Sequence, residues 1–96
     1  MKKSNQQTLG EAIREFLKSH HLEEKITETR ITQSWEKIMG TNISRYTRHL
    51  VLKNTVLTVY LRSSVLRTEL SYGKTKIVQM INKEVGEAVL TDIIFK

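Results

Sequence analysis

Between Leu50 and Leu61 the apolar residues of this chain alternate: Leu50 and Leu52, then, past Lys53-Asn54-Thr55, Leu57, Val59 and Leu61. Period two with β-branched and aromatic neighbours marks strands half-buried against a core. Two such strands joined by a short polar turn make a hairpin, with Asn54 the turn residue that best tolerates a positive φ. Asn-Thr is a weaker hairpin signal than Asn-Gly, so the turn type stays open. If the leucines face inward, His49, Val51, Lys53, Thr58, Tyr60 and Arg62 share the opposite face. A chain of 96 residues has room for one modest core around such a ribbon, and little for a deep, sealed active-site cavity.

Helices supply the other half of that core. Thr8-Leu9-Gly10-Glu11 has the spacing of a capping box, and Leu9, Ala12, Ile13, Phe16 and Leu17 follow at helical spacing to an end near His20-His21. Leu22, Ile26, Ile31, Trp35, Ile38 and Met39 continue as a second helix, with Glu23, Glu24, Glu28, Arg30, Glu36 and Lys37 on its solvent side and Gly40 as its stop. The weak helix formers Thr27, Thr29 and Thr32 allow a bend or break near Thr29–Thr32. A short turn or helix from Thr41-Asn42 runs to Tyr46. Trp35, the sole tryptophan, reads as a core anchor between helix and sheet.

After the hairpin, Ser63-Ser64 caps a helix whose stripe is Leu66, Leu70, Ile77, Met80, Ile81 and Val85, ending at Gly86. This is the longest helix the pattern predicts, with Gly73 inside it as a point of close packing or slight kink. Val89 to Phe95 reads as a strand, which pairs with the hairpin to satisfy its backbone. The expected fold is α+β, in the order α-α-β-β-α-β, with a small three-stranded sheet and the helices on one face. Residues 1–7 are a polar, disordered tail and residues 8–96 a single domain.

Composition excludes several functional classes. The chain has no cysteine, so neither a disulfide framework nor a thiolate metal site is available. Adjacent His20 and His21 diverge by about 100° on a helix and cannot share one metal, and His20 with Glu24 gives two ligands where zinc needs more. Glu11/Glu15 and Glu23-Glu24 are solvated helix faces, and Ser63 and Ser64 have no nearby histidine to activate them. There is no phosphate-binding loop and no dinucleotide fingerprint. The reading is therefore not an enzyme, with no cofactor, metal or small-molecule substrate. Ser4 to Thr8 stand where a signal peptide would need an apolar core, and no apolar run approaches a membrane span, so a soluble, cytoplasmic protein without membrane association is expected.

The charge is uneven. Residues 44–83 carry eight Lys/Arg against Glu69 alone, whereas the net charge of the whole chain is +6. A basic middle third fits a polyanion or an acidic protein surface, and equally allows solvated lysines that only aid solubility. Arg45, Tyr46, Arg48 and His49 form a basic-aromatic cluster before the hairpin; Lys53, Tyr60 and Arg62 extend it, and Arg67, Lys74 and Lys76 complete the basic set. Lys and Arg suit phosphates and tyrosine suits stacking on an unpaired base, although a tyrosine ring packed on the protein is the commoner use. Nothing resembles a base-reading helix, so little sequence preference is expected.

Taken in order, several of these pieces resemble one bacterial family, long catalogued as a domain of unknown function, that includes the DciA-type operators of the replicative helicase. They are Leu9-Gly10-Glu11-Ala12-Ile13, Trp35-Glu36-Lys37-Ile38-Met39-Gly40, the hairpin Leu50-Val51-Leu52 and Leu57-Thr58-Val59, Ser63-Ser64 before Glu69-Leu70, and Asp92-Ile93-Ile94-Phe95. The resemblance implies a KH-like fold over residues 8–96 and a non-enzymatic accessory role beside the replicative helicase at single-stranded DNA. Well-known members carry a long C-terminal extension past the position of Lys96, and many have glycine where Thr55 stands. The Gly-x-x-Gly loop by which KH domains clamp a nucleic-acid backbone is absent. Two other readings remain: a protein-interaction module docking on an acidic partner, and an RNA-binding KH-like module.

Overall fold

The structure is a computed structural model that describes residues 7–96, so most of the expected N-terminal tail lies outside the described residues. Helix α1 spans Leu9–Ser19, started by the expected capping box: the Thr8 hydroxyl accepts from the Glu11 amide, and Glu11 accepts from the Thr8 amide. The Thr8 backbone N–H, with its hydroxyl second, holds the Glu11 carboxyl below its ordinary value. Despite its amphipathic pattern α1 buries no side chain, and Leu9, Ile13 and Phe16 stay exposed.

Helix α2, Leu22–Met39, is continuous, so the bend expected near Thr29–Thr32 is absent. The two threonine hydroxyls donate to the carbonyls of Lys25 and Glu28, one turn back, and so spend their hydrogen-bonding capacity inside the helix. Ile31 and Trp35, four residues apart, are its buried stripe. Gly40, at φ 91°, ends it, and α3 follows as Thr41–Tyr46.

Strands β1 (Thr47–Lys53) and β2 (Val56–Leu61) form the antiparallel hairpin, with Asn54 at φ 56° in its turn. Strand β3 (Asp92–Phe95) lies parallel to β2 on its other side, so the sheet order is β1-β2-β3. The register aligns Leu52, Leu57 and Ile93 in one row across the sheet and Leu50, Val59 and Phe95 in the next. These rows face Ile31 and Trp35 of α2 and the buried residues of the helices that follow β2, in one core cluster.

A parallel β2–β3 pair requires a crossover. It is supplied by two helices, α4 (Ser64–Ser71) and α5 (Lys74–Val85), where the sequence pattern predicted one; the longest helix is α2. An unbroken helix over residues 64–85 would span about 33 Å against strands of roughly 20 Å, so part of its apolar stripe would overshoot the sheet. The break at Tyr72–Gly73 brings both halves back: Leu66 and Leu70 pack against the core, and Ile77, Ile81 and Val85 are buried in it. The α+β class and the order of helices and strands hold, with that crossover helix divided.

The loop from α5 to β3 is tied down by one side chain. Asn82 Oδ1 accepts from the amides of Val89 and Leu90, and its Nδ2 donates to the Leu90 carbonyl, all within 3.0 Å. In Asn82→Ala the Val89 amide keeps the Glu87 carbonyl at 2.9 Å, while the Leu90 amide and carbonyl lose their Asn82 partner, so we expect about 2 kcal/mol of destabilisation in urea unfolding, with the loss concentrated in amide exchange of residues 88–95.

Candidate nucleic-acid interface

The sheet has one face in the core and one face open. On the open face the alternation places His49, Val51 and Lys53 of β1, Thr58 and Tyr60 of β2, and Ile94 of β3. The inward–outward division predicted for the hairpin is the one observed.

The start of β1 is fixed from beneath. Trp35 Nε1 donates to the Thr47 hydroxyl at 2.9 Å, and that hydroxyl donates to the Ile43 carbonyl at 2.7 Å. Trp35 is 3% exposed, the core anchor expected. The register then shifts between Thr47 and His49, which inserts Arg48 as an extra residue. Such a bulge re-aims side chains, and both Arg48 and His49 are exposed before Leu50 returns to the core. His49 lies opposite Tyr60, and the two rings stack with centroids 4.3 Å apart at 22°.

Around this pair the structure gathers part of the predicted set. The Arg62 amide donates to the Tyr46 carbonyl at 2.9 Å, and its guanidinium donates to the Arg45 carbonyl. Arg45, Tyr46, Arg48, His49, Tyr60 and Arg62 therefore crowd one end of the β1–β2 ribbon. Lys53 marks its opposite end, about 13 Å along the strand from His49. Among the described residues none of Arg45, Arg48, Lys53 or Arg62 forms an ion pair. Asp92, aligned with Val56 near Lys53, turns its carboxylate to the Ile93 amide.

The rest of the predicted set is elsewhere. Arg67 donates to the Leu61 carbonyl at 3.2 Å and is partly buried, a bond that fastens α4 to the end of β2. Lys74 and Lys76 begin α5, beyond α4, which carries them roughly 12 Å along its axis. They line a separate shallow depression with Tyr72, which is 81% exposed and which the sequence reading did not single out. Glu24 and Glu28, read as solvent-side residues, instead reach the β1 edge and accept from the amides of Asn54 and Leu52. Their four-residue spacing matches a two-residue step on an adjoining strand, a signal legible only once the two elements are known to adjoin.

Among the described residues no group of three His, Asp or Glu side chains is placed to hold a metal, and no helix is long and apolar enough to cross a membrane. The fold is α+β, with a three-stranded sheet whose open face carries the stacked His49–Tyr60 pair and Lys53. A family model described as "Dna[CI] antecedent, DciA" matches residues 8–95, and the chain belongs to that family. It is 24% identical over 87 residues to a UPF0232 protein of Corynebacterium glutamicum (strain R), an alignment covering 91% of this chain and 49% of that protein. The chain thus spans about half the length of the curated relative it matches. No solved structure matches.

Proposed function

We propose that this chain is a non-enzymatic, nucleic-acid-binding accessory protein that assists the bacterial replicative DNA helicase, in the cytoplasm, by holding single-stranded DNA with little sequence preference. Membership of the DciA family supports the helicase-loading role. The observation that carries the DNA reading is the stacked His49–Tyr60 pair on an open sheet face, with Arg45 and Arg48 beside it and Lys53 at the far end of the ribbon, none with a carboxylate partner among the described residues. Cations that track phosphates beside an aromatic surface are the parts of sequence-tolerant single-strand binding. A KH-like shape belongs to the same reading, but the α4–α5 turn is Ser71-Tyr72-Gly73-Lys74, without the paired glycines of a KH clamp.

The test is a set of fluorescence-anisotropy titrations with single-stranded DNA, duplex DNA and RNA in parallel over a range of salt. Three phosphate contacts predict a slope of about −2 in log K against log salt for the single strand, and tighter binding to it than to duplex. Tighter binding to RNA would favour the RNA-binding alternative. No binding to any of the three would leave the protein-interaction reading, which the edge of the sheet supports on separate grounds.

A further inference from the structure

Helix α2 lies along the free edge of β1, and its glutamates occupy that edge. In an antiparallel ribbon alternate residues turn their amides away from the partner strand, so Leu50, Leu52 and Asn54 form one outward row. Glu24 Oε2 accepts from Asn54 N–H and Glu28 Oε2 from Leu52 N–H, each at 2.8 Å. The repeat is possible because four residues of helix and two of strand both advance roughly 6 Å.

The third position of this ladder pairs residue 32 with Leu50. Thr32 stands there, and its hydroxyl donates to the Glu28 carbonyl at 2.9 Å. Its side chain is also too short to repeat the glutamate bridge. By the register the Leu50 amide turns away from β2, and no side chain among the described residues accepts from it as Glu24 and Glu28 do from the next two outward amides. An outward amide on an edge strand is open to an acceptor from another chain. Leu50 lines a cleft of about 280 Å³ with Thr32, Trp35, Ser44, Arg48 and His49. Arg48 has no carboxylate partner among the described residues.

We propose that the empty position is filled from outside: the cleft takes a glutamate or aspartate side chain from an acidic segment of a partner protein. One carboxylate oxygen accepts from Leu50 N–H, as those of Glu24 and Glu28 do from the next two outward amides, and the Arg48 guanidinium pairs with the other oxygen. A carboxylate is favoured over a phosphate because both filled positions of the ladder hold carboxylates. The inference stands apart from the DNA reading: both use Arg48, but this one uses the edge of the sheet and needs no nucleic acid.

The test follows the Leu50 amide by NMR while the full chain is titrated with a capped hexaglutamate peptide, with hexaglutamine, inorganic phosphate and oligothymidylate as separate comparisons. Hexaglutamate is expected to shift the Leu50 amide, hexaglutamine is not, and Arg48→Ala is expected to weaken the hexaglutamate interaction at least fivefold. Thr32→Glu is expected to close the third position internally, slowing Leu50 amide exchange at least tenfold and weakening hexaglutamate binding by a similar factor. Thr32→Gln should slow the exchange without adding charge, which separates occupation of the position from repulsion of the peptide. A Leu50 amide that ignores hexaglutamate, or responds only to phosphate or oligothymidylate, overturns the proposal; so does an exchange rate unchanged in both Thr32 variants. Single-strand DNA binding retained by Thr32→Gln would show that the two surfaces fail or succeed separately.

Discussion

Reversing Arg45, Arg48 and Lys53 together to glutamate is expected to weaken single-stranded DNA binding at least 100-fold at moderate salt and to flatten its salt dependence by about two units of slope. Each substitution removes a phosphate contact with its released counterion and also plants a like charge against the phosphate backbone. All three side chains are exposed, and none takes part in an ion pair among the described residues, so their replacement leaves the fold nearly untouched. Arg62 is left in place because its guanidinium holds the Arg45 carbonyl, and losing it would mix structural and electrostatic effects. The matched control reverses three lysines, Lys18, Lys76 and Lys83, which are exposed and outside the cluster. Equal losses in variant and control would reduce the interface to net charge, and unchanged binding by the variant would remove these three residues from it.

Leu57→Ala is expected to cost about 4 kcal/mol in urea unfolding. Leu57 is fully buried on the central strand, with Leu52 beside it in the register on one side and Ile93 on the other. Neighbours held by two strand pairings cannot collapse freely into the space left behind, so both the transfer loss and the cavity remain. A domain of this size is expected to have a total stability of roughly 5–14 kcal/mol, so this one side chain is a large fraction of it. The midpoint should fall with little change in the denaturant slope. A loss below about 1 kcal/mol would mean that the row is not the packed centre of the core.

The face of the sheet was legible because strand geometry leaves only two choices, and the leucines select one. That single parity assigned His49, Lys53 and Tyr60 outward and Leu50, Leu57 and Val59 inward, and the structure agrees at each of them. The caps at Thr8 and Ser63 were legible for a similar reason, since side chain and amide lie within one turn. Features that depend on how two elements meet were not. Leu66, Leu70, Ile77 and Ile81 keep a helical period through Gly73, so the pattern alone reads as one helix; its division at Tyr72–Gly73 lies in how both halves meet the core. Glu24 and Glu28 have the composition of a solvated face until β1 is placed alongside. Arg62 and Arg67 count as charges in a sequence, yet each has a backbone carbonyl to hold. The grouping of Arg45, Arg48, His49 and Tyr60 survived because the bulge and the hairpin register hold neighbours together; Lys74 and Lys76 left it because α4 intervenes.

The unburied stripe of α1 bears on how this protein behaves in concentrated solution. Leu9, Ile13 and Phe16 offer an apolar strip that would adhere to its like, while a net charge of +6 keeps identical molecules apart. Salt acts on only one side of that balance: the screening length falls from about 10 Å at 0.1 M to about 3 Å at 1 M, and the adhesion is left unopposed. Colloidal stability is therefore expected to be greatest at low ionic strength, the same condition that favours the proposed single-strand binding. In a salt titration of the proposed DNA complex, high salt is therefore expected to favour clustering through the first helix, which light scattering of the protein alone would read.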